Sequence, residues 1–245
     1  MTGLVRKATL LTFCGLFVAG AAMAGVPNAS TSIVATAIKL VGTGSGADPA
    51  GVFTITVRDL TSQPVPNSNV KIDFSTCRHL FIGADQGQPG TSVDCTGHVV
   101  SVLTSALGVA TFRIVGGSQA VIPVTGSGTT EPVIGCAQIK ADNTDLVVHP
   151  SSGLKVGTPD LDNSSSGGGV SGADLSLEIS DVQYCLSPGG PYYLERADMT
   201  HNGVVDGTDL SKQIDNVQYM LNPAHNANDG KTCADVGHSC CSLLP

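Results

Sequence analysis

The chain has 245 residues, with 12 basic and 20 acidic side chains that give a formal net charge of −8 at pH 7. An acidic chain without a Lys/Arg cluster is a poor ligand for nucleic acid, so a nucleic-acid partner is excluded. Aromatic residues make up 4% and tryptophan is absent, which argues against a carbohydrate-binding face of stacked rings, whereas 30 glycines suit turn-rich β structure.

The N-terminus carries the pattern of a secretory signal peptide. Arg6 and Lys7 precede an apolar run over residues 8–21, and Ala22-Met23-Ala24 forms a small-x-small cleavage site. A membrane anchor is the alternative, but the apolar run is short for a membrane span. We therefore predict a signal peptide over residues 1–24 and a secreted protein, extracellular or at the cell surface, with no membrane insertion after cleavage.

Seven cysteines remain after this cleavage, three in the first half of the chain and four in the second. Disulfides are the default state of cysteines in an exported protein. Because the number is odd, at least one thiol stays free or forms an intermolecular bridge. The sequence does not define which cysteines pair.

Residues 25–150 contain short runs of β-branched residues in which apolar and polar side chains alternate. In the run 70–74 every second residue is apolar, and the apolar face of the run 109–115 carries Ala110, Phe112 and Ile114. Turns rich in proline and glycine separate the runs, and no amphipathic helix is visible among them. Seven or eight strands of an all-β sandwich are therefore expected.

Two stretches of this region resemble bacterial Ig-like domains of the invasin/intimin type. Thr56–Asp59 followed by Gln63–Val70 resembles their V-x-D … G-x-P-V-x-G-x-x-V pattern, and Thr104–Phe112 resembles T-x-x-x-G-x-A-x-F. The resemblance implies an Ig-like β-sandwich. The stretch from Cys77 to Cys95 departs from the family pattern and is interpreted as a loop insertion closed by a disulfide. A Ser/Gly-rich linker is predicted over residues 151–162.

The C-terminal third contains an internal duplication. Residues 174–188 and 209–223, which lie 35 positions apart, share the pattern D-L-S-x-x-I-x-x-V-Q-Y-x-L-x-P. Apolar residues at helical spacing predict one helix in each copy, and the two apolar faces are expected to pack as an antiparallel pair. The predicted faces are Leu175, Ile179, Val182 and Leu186 in the first helix and Leu210, Ile214, Val217 and Leu221 in the second.

A loop over residues 198–209 precedes the second helix. Oxygen-bearing side chains fall at its positions one, three, five, nine and twelve, Gly203 allows a sharp turn at position six, and Val205 is an apolar anchor at position eight. Because Ca²⁺ takes six to eight oxygen ligands from loops of this kind, we predict Ca²⁺ as the cofactor. The predicted ligands are Asp198, Thr200, Asn202, Asp206 and Asp209 through their side chains and Val204 through its carbonyl group.

Aspartate at position twelve and a loop-then-helix unit that occurs twice without a preceding helix resemble type I dockerins. The resemblance implies a small α-helical domain of duplicated, EF-hand-like calcium loops over residues 163–224. It also implies a cohesin-like or other cell-surface protein as partner, recognised in part through the residue pair before the last loop aspartate. The implied partner-binding residues are Gly172, Ala173, Gly207 and Thr208.

The first loop is degraded in comparison with the second. Counted back from Asp174, it has a glycine at position five, which carries no side-chain oxygen. A three-residue insertion would instead bring Asp160 and Asp162 into the site. The candidate ligands of this loop are Asn163, Ser165, Asp174 and Asp162.

The Cys-rich tail, residues 225–245, groups two histidines with three cysteines, which are also zinc ligands. Their spacing fits no common zinc motif, and an exported protein oxidises its thiols, so disulfides are favoured. The cluster consists of His225, Cys233, His238, Cys240 and Cys241.

No catalytic motif is present, so we predict a protein without enzymatic activity. The favoured function is an interaction module in which the calcium unit attaches the Ig-like domain to a scaffold or cell surface. The alternatives are a structural cell-surface, matrix or adhesin protein with calcium as a folding staple, and an accessory part of a glycoside hydrolase system. A link to polysaccharide degradation is implied by the dockerin resemblance alone.

Overall fold

The structure is a computed structural model that describes residues 25–41, 51–77, 80–118, 135–147, 153–161, 170–186, 194–221 and 241. The predicted signal peptide, most of the first loop and nearly all of the Cys-rich tail lie outside these ranges. The described chain is mostly β-sheet and has two helices, which agrees with the prediction of a β-rich first part and a helical second part. None of its helices is long and apolar enough to cross a membrane.

All the described strands precede the helices along the chain. The strands are β1 (Ala37–Lys39), β2 (Val52–Thr56), β3 (Asn69–Asp73), β4 (Leu80–Ile82), β5 (Thr91–Asp94), β6 (Val99–Leu103), β7 (Val109–Arg113), β8 (Gly116–Ser118), β9 (Gln138–Ala141), β10 (Thr144–Val147) and β11 (Lys155–Gly157). They are followed by helix α1 (Gly172–Leu186), a short 3₁₀ helix (Glu195–Ala197) and helix α2 (Gly207–Leu221).

The largest sheet is antiparallel and has five strands in the order β10-β9-β3-β6-β5. Strand β3 lies at its centre because it pairs with both β6 and β9. The alternation of its residues turns Val70 and Ile72 into the interior, while Lys71 between them stays partly exposed. Phe74 follows the strand and is buried in the same core, so the predicted apolar face of this run is confirmed.

Strands β2 and β7 form a separate antiparallel pair. Their register places Phe53 opposite Phe112, and the two rings stack with centroids 5.4 Å apart. Ala110, Phe112 and Ile114 are buried, which confirms the predicted face of the second run. These residues share one hydrophobic core with the inward residues of the five-stranded sheet. Removal of this apolar surface from water is the main force that holds the β part together.

The predicted linker is not a linker over its described part, residues 153–161. Strand β11 pairs in parallel with β1, which places Val156 opposite Ile38. Leu154, Val156 and Leu161 have no exposed surface. The strand contributes too few apolar residues to stand out from the Ser/Gly-rich composition that surrounds it. The chain therefore enters the helical part directly from a strand that belongs to the β core.

Two disulfides join parts of the chain that are distant in sequence. Cys77 pairs with Cys136 and Cys95 with Cys241, across separations of 59 and 146 residues. The expected bridge between Cys77 and Cys95 is therefore wrong, because the fold brings each of them to a different partner. The pairing of Cys241 also removes one ligand from the zinc alternative, whose other members lie outside the described ranges. Cys185 is buried in the helical part.

The two helices contact each other, but they bury only part of the predicted faces. Val182 and Val217 are buried as predicted, and Leu210 packs against the core of the helical part. Ile179 and Leu186 of the predicted α1 face are exposed, as is Ile214 of α2. The actual inner face of α1 is mostly polar, because the loop aspartate Asp174 must reach the amides of its loop and thereby sets the rotation of the helix. The buried residues of α1 are Asp174, Glu178, Asp181, Val182 and Cys185.

Candidate calcium-binding site

The second loop, residues 198–209, begins with a buried carboxylate. Asp198 follows the 3₁₀ helix and accepts backbone hydrogen bonds from Asn202 (3.0 Å to Oδ1) and Gly203 (2.7 Å to Oδ2). Gly203 has a φ of +88°, a conformation that glycine adopts without the steric cost that other residues incur. This turn directs both N–H groups at Asp198, so the sharp turn predicted at position six is present.

A second buried carboxylate, Asp209 in the first turn of α2, holds the other end of the loop. Its Oδ1 accepts hydrogen bonds from the N–H (2.9 Å) and hydroxyl (3.0 Å) of Thr200, and its Oδ2 accepts one from the Asp206 N–H (2.9 Å). The Thr200 hydroxyl also lies 3.4 Å from Oδ1 of Asp198. The candidate ligands at positions one, three and twelve are thus brought together around a single hydroxyl group.

The remaining candidate ligands lie on the exposed side of the loop. Oδ1 of Asn202 accepts a hydrogen bond from the Val204 N–H (2.8 Å), and Oδ1 of Asp206 accepts bonds from the N–H (2.7 Å) and hydroxyl (2.6 Å) of Thr208. The hydroxyl bond first, and then the backbone bond, lower the pKa of Asp206, so this carboxylate is charged at neutral pH. Val205 is buried in the apolar cluster of the helical part, as expected of an apolar anchor.

The donors of this loop suit a hard cation. Carboxylate, amide, hydroxyl and carbonyl oxygens are the ligands that Ca²⁺ takes, and a carboxylate that accepts one or two N–H bonds keeps further lone pairs. Within the described ranges, however, no group of three acidic, histidine or cysteine side chains is arranged to hold a metal ion. The carboxylate of Asp206 bonds Thr208 at the rim. Position nine of such loops often contributes to the ion through a water molecule, so Asp206 can take part from the rim.

Asp174 accepts hydrogen bonds from backbone amides of the first loop, as Asp209 does in the second loop. Its Oδ1 accepts a hydrogen bond from the Leu161 N–H and its Oδ2 one from the Ser171 N–H, both at 2.8 Å. The Leu161 amide lies 13 residues before the aspartate, whereas the corresponding amide of the second loop lies 9 residues before its own. By this measure the first loop is four residues longer (13 against 9), one more than the three-residue insertion considered from the sequence, and it starts near the buried Asp160. The other candidate ligands, which lie outside the described residues, are Asp162, Asn163 and Ser165.

The four residues implied in partner binding lie where the two helices begin. Gly172 is the first residue of α1 and Gly207 the first of α2, and Ala173 and Thr208 follow them. All four residues are exposed. No neighbouring residue lies within 4 Å of the position that a Cβ atom would take on either glycine. Both loop–helix junctions are thus accessible from outside.

Glu178 in the middle of α1 is a buried carboxylate that the sequence pattern did not mark. It has no exposed surface, and neither carboxylate oxygen has a hydrogen-bond partner among the described residues. Burial raises the pKa of Glu178 to about 8, and repulsion from Asp181 and Asp209 contributes to the rise. Asp198 adds to this repulsion, whereas Arg196 opposes it. Glu178 therefore lies within the electrostatic reach of the second loop.

An ion pair next to Glu178 joins α1 to the start of the second loop. Arg196, in the 3₁₀ helix, donates from Nε to Oδ2 of Asp181 at 2.9 Å and from Nη2 to Oδ1 at 2.9 Å. Both side chains are almost fully buried. A bidentate pair of this kind is strong and directional, so it fixes the position of the loop relative to the helix.

His201, at loop position four, packs the second loop against the β part. A Cβ atom on Gly157 of β11 would lie only 2.8 Å from Cε1 of the His201 ring, so the ring occupies the space that the glycine leaves. Burial lowers the pKa of His201 below its usual value of 6.5. The neutral ring suits this contact because a buried imidazolium would be costly. No sequence pattern indicated this role.

Comparison of the chain with protein-family models, with curated proteins and with solved structures found no match. What the protein does is therefore inferred from the geometry of its loops and from the residues that surround them.

Proposed function

We propose that this is a secreted, non-catalytic, calcium-binding protein in which a dockerin-like module attaches an Ig-like domain to a scaffold or cell-surface partner. The dockerin and Ig-like assignments rest on the sequence resemblances, as does a role beside polysaccharide degradation. The association of a five-stranded antiparallel sheet with the β2–β7 pair around one core supports the Ig-like part.

The observation that carries the calcium proposal is the meeting of Asp198 and Asp209 at the Thr200 hydroxyl. Both carboxylates are fully buried. Two like charges held close together away from water repel each other, and a bound cation removes that repulsion. The oxygen donors around them are those of a calcium loop rather than of a zinc site.

A second function is favoured by contacts between the helices and the β part. Lys39 of β1 donates a hydrogen bond from Nζ to Oδ1 of Asn216 (2.6 Å), and Nε2 of Gln213 donates to the carbonyl oxygen of Pro159 (2.7 Å). A module that serves only as a docking arm has no need of such contacts. They support a structural cell-surface or matrix protein in which calcium stabilises the fold and no specific partner is bound.

Calorimetric titration of the purified protein with Ca²⁺ tests the calcium site. We expect saturable binding in the wild type and strong weakening in Asp198→Asn and Asp209→Asn, since each variant removes one buried charge while keeping the shape of the side chain. Asp215→Asn is the matched control, because it removes the same charge from an exposed position on α2 and should leave affinity nearly unchanged. No calcium binding by the wild type would refute the proposal.

A calcium-dependent pull-down then separates the two functions. The double variant Ala173→Arg/Thr208→Arg places a large cation at both loop–helix junctions while leaving the buried carboxylates in place. If the module binds a partner, we expect wild-type protein with calcium to retain it and the double variant, still calcium-bound, to lose it. Calcium-stabilised protein that retains no specific partner would instead support the structural role.

A further inference from the structure

Each helix carries a buried or half-buried polar pair at the same two places of the duplicated pattern. In α1 the pair is Glu178 and Asp181, and 35 residues later in α2 it is Gln213 and Asn216. Glu178, Asp181 and Gln213 are buried and Asn216 is half-buried. The two copies thus share the position of the pair but differ in charge, with two carboxylates in the first helix and two amides in the second.

The amide pair of α2 reaches across to the start of the first loop and is well accommodated. Nε2 of Gln213 donates to the Pro159 carbonyl (2.7 Å), and Nδ2 of Asn216 donates to Oε1 of Gln213 (3.2 Å). Lys39 in turn donates to Oδ1 of Asn216 (2.6 Å). A neutral side chain at this place therefore forms its hydrogen bonds without any ion.

The carboxylate pair of α1 faces the start of the second loop in the corresponding way. Asp181 is bound by Arg196, which lies in the 3₁₀ helix just before the loop. Glu178 beside it is fully buried, and neither of its oxygens finds a hydrogen-bond donor within the described part of the chain. The charged groups that act on Glu178 are Asp181, Asp209, Arg196 and Asp198, so the two buried loop carboxylates lie within its electrostatic reach.

Buried carboxylates normally have a partner, because an ionised group without one is strongly unfavourable away from water. Arg196 is already engaged by both oxygens of Asp181. A cation held between Asp198 and Asp209, the two loop carboxylates that act on Glu178, would offset its charge. The charge difference between the repeats follows the same logic, since the carboxylate pair faces the intact loop and the amide pair faces the degraded one.

We propose that Glu178 is part of the cation site of the second loop, to which it contributes a negative charge from across the helix pair. This inference rests on the proposed calcium site. Calcium affinity in loops of this kind is tuned by the number of charged groups around the ion. Glu178 therefore makes the second loop the tighter of the two sites, although it belongs to the first repeat in sequence.

The test compares Ca²⁺ binding by wild-type protein, Glu178→Gln and Asp215→Asn in calorimetric titrations. The glutamine is accepted at the equivalent place of α2, so the exchange keeps the buried shape and removes only the charge. We expect Glu178→Gln to weaken binding at the site that Asp198→Asn abolishes by about 10- to 100-fold, the range for groups that act on a metal through its ligands. Asp215→Asn should change affinity by less than about twofold, as for other exposed charges.

The rise in unfolding temperature on adding calcium gives a second readout, because a merely structural role of Glu178 would leave that rise unchanged. Without calcium at pH 8, Glu178→Gln should unfold at a higher temperature than the wild type, because a buried repulsive charge is gone. With calcium, the rise in unfolding temperature should be smaller in the variant. Equal calcium affinity in wild type and Glu178→Gln would overturn this inference alone, whereas no calcium binding by the wild type would overturn the proposed function with it.

Discussion

The buried carboxylate of Glu178 makes the stability of the calcium-free protein depend on pH in a calculable way. The pKa of this group is about 8 in the folded protein, against 4.5 for an ordinary glutamate. The folded state therefore holds a proton that the unfolded state releases between these values, so the free energy of unfolding falls as pH rises. At about 1.4 kcal/mol per pKa unit, the gap corresponds to a loss of up to about 5 kcal/mol.

Urea unfolding in calcium-free buffer at several pH values between 4.5 and 8 measures this effect. The wild type should lose stability across that window, and Glu178→Gln should lose about 5 kcal/mol less, because glutamine does not titrate. The difference between the two proteins isolates Glu178 from other groups such as His201, whose lowered pKa works in the opposite direction. Parallel curves for the two proteins would refute the reasoning, since they would mean that Glu178 ionises as freely in the folded chain as in the unfolded one.

Three further predictions concern the loop, the core and the bridges. Gly203→Ala should destabilise the helical part by about 1–2 kcal/mol, because the backbone at this position has a positive φ. Gly207→Ala is the control, since this helix start has open space around it, and it should be neutral or slightly stabilising. Circular-dichroism melts measure both effects. Phe112→Ala should cost about 3–5 kcal/mol in urea unfolding, because it empties a buried site and removes a ring stack. Replacing Cys95 and Cys241 together by serine should cost about 2–5 kcal/mol, and mass spectrometry of non-reduced peptides should find these two linked in the wild type.

The β part was predictable wherever burial alternates along a strand. The runs around Val70 and Phe112 have period-two apolar residues, and both place those residues in the core. Gly108 also behaves as its sequence setting indicates. Its φ is +72°, and a Cβ atom there would lie 2.6 Å from the carbonyl oxygen of Val57, so the turn before β7 requires glycine. Local patterns suffice in such places because the physical cause is itself local.

The loops show the same distinction between local and distant causes. The sharp turn at Gly203 and the burial of Val205 follow from the spacing of residues within the loop. The cysteine partners could not be predicted from local spacing, because the pairing of Cys77 with Cys136 depends on how separate strands pack. Strand β11 escaped detection because three residues are too few to show a period.

The helices were predicted in number and place, but their orientation was predicted only in part, through Val182 and Val217. Their apolar spacing placed Ile179 and Ile214 on the contact face, yet both are exposed. Hydrophobic burial competes in each helix with the carboxylate that must bind its loop amides, and the loop wins because an unsatisfied buried amide or carboxylate costs more than an exposed isoleucine. The recurrence of Glu178 and Gln213 at one helical position was the available sign of that inner face.

The bridge between Cys95 and Cys241 has a mechanical consequence. A pull applied to the chain beyond Cys241 passes through the sulfur–sulfur bond directly into the end of β5, without traversing the residues between the two cysteines. Both loops and both helices lie within that bypassed stretch. Tension applied beyond Cys241 therefore does not extend the loops and helices themselves for as long as the bond stays oxidised.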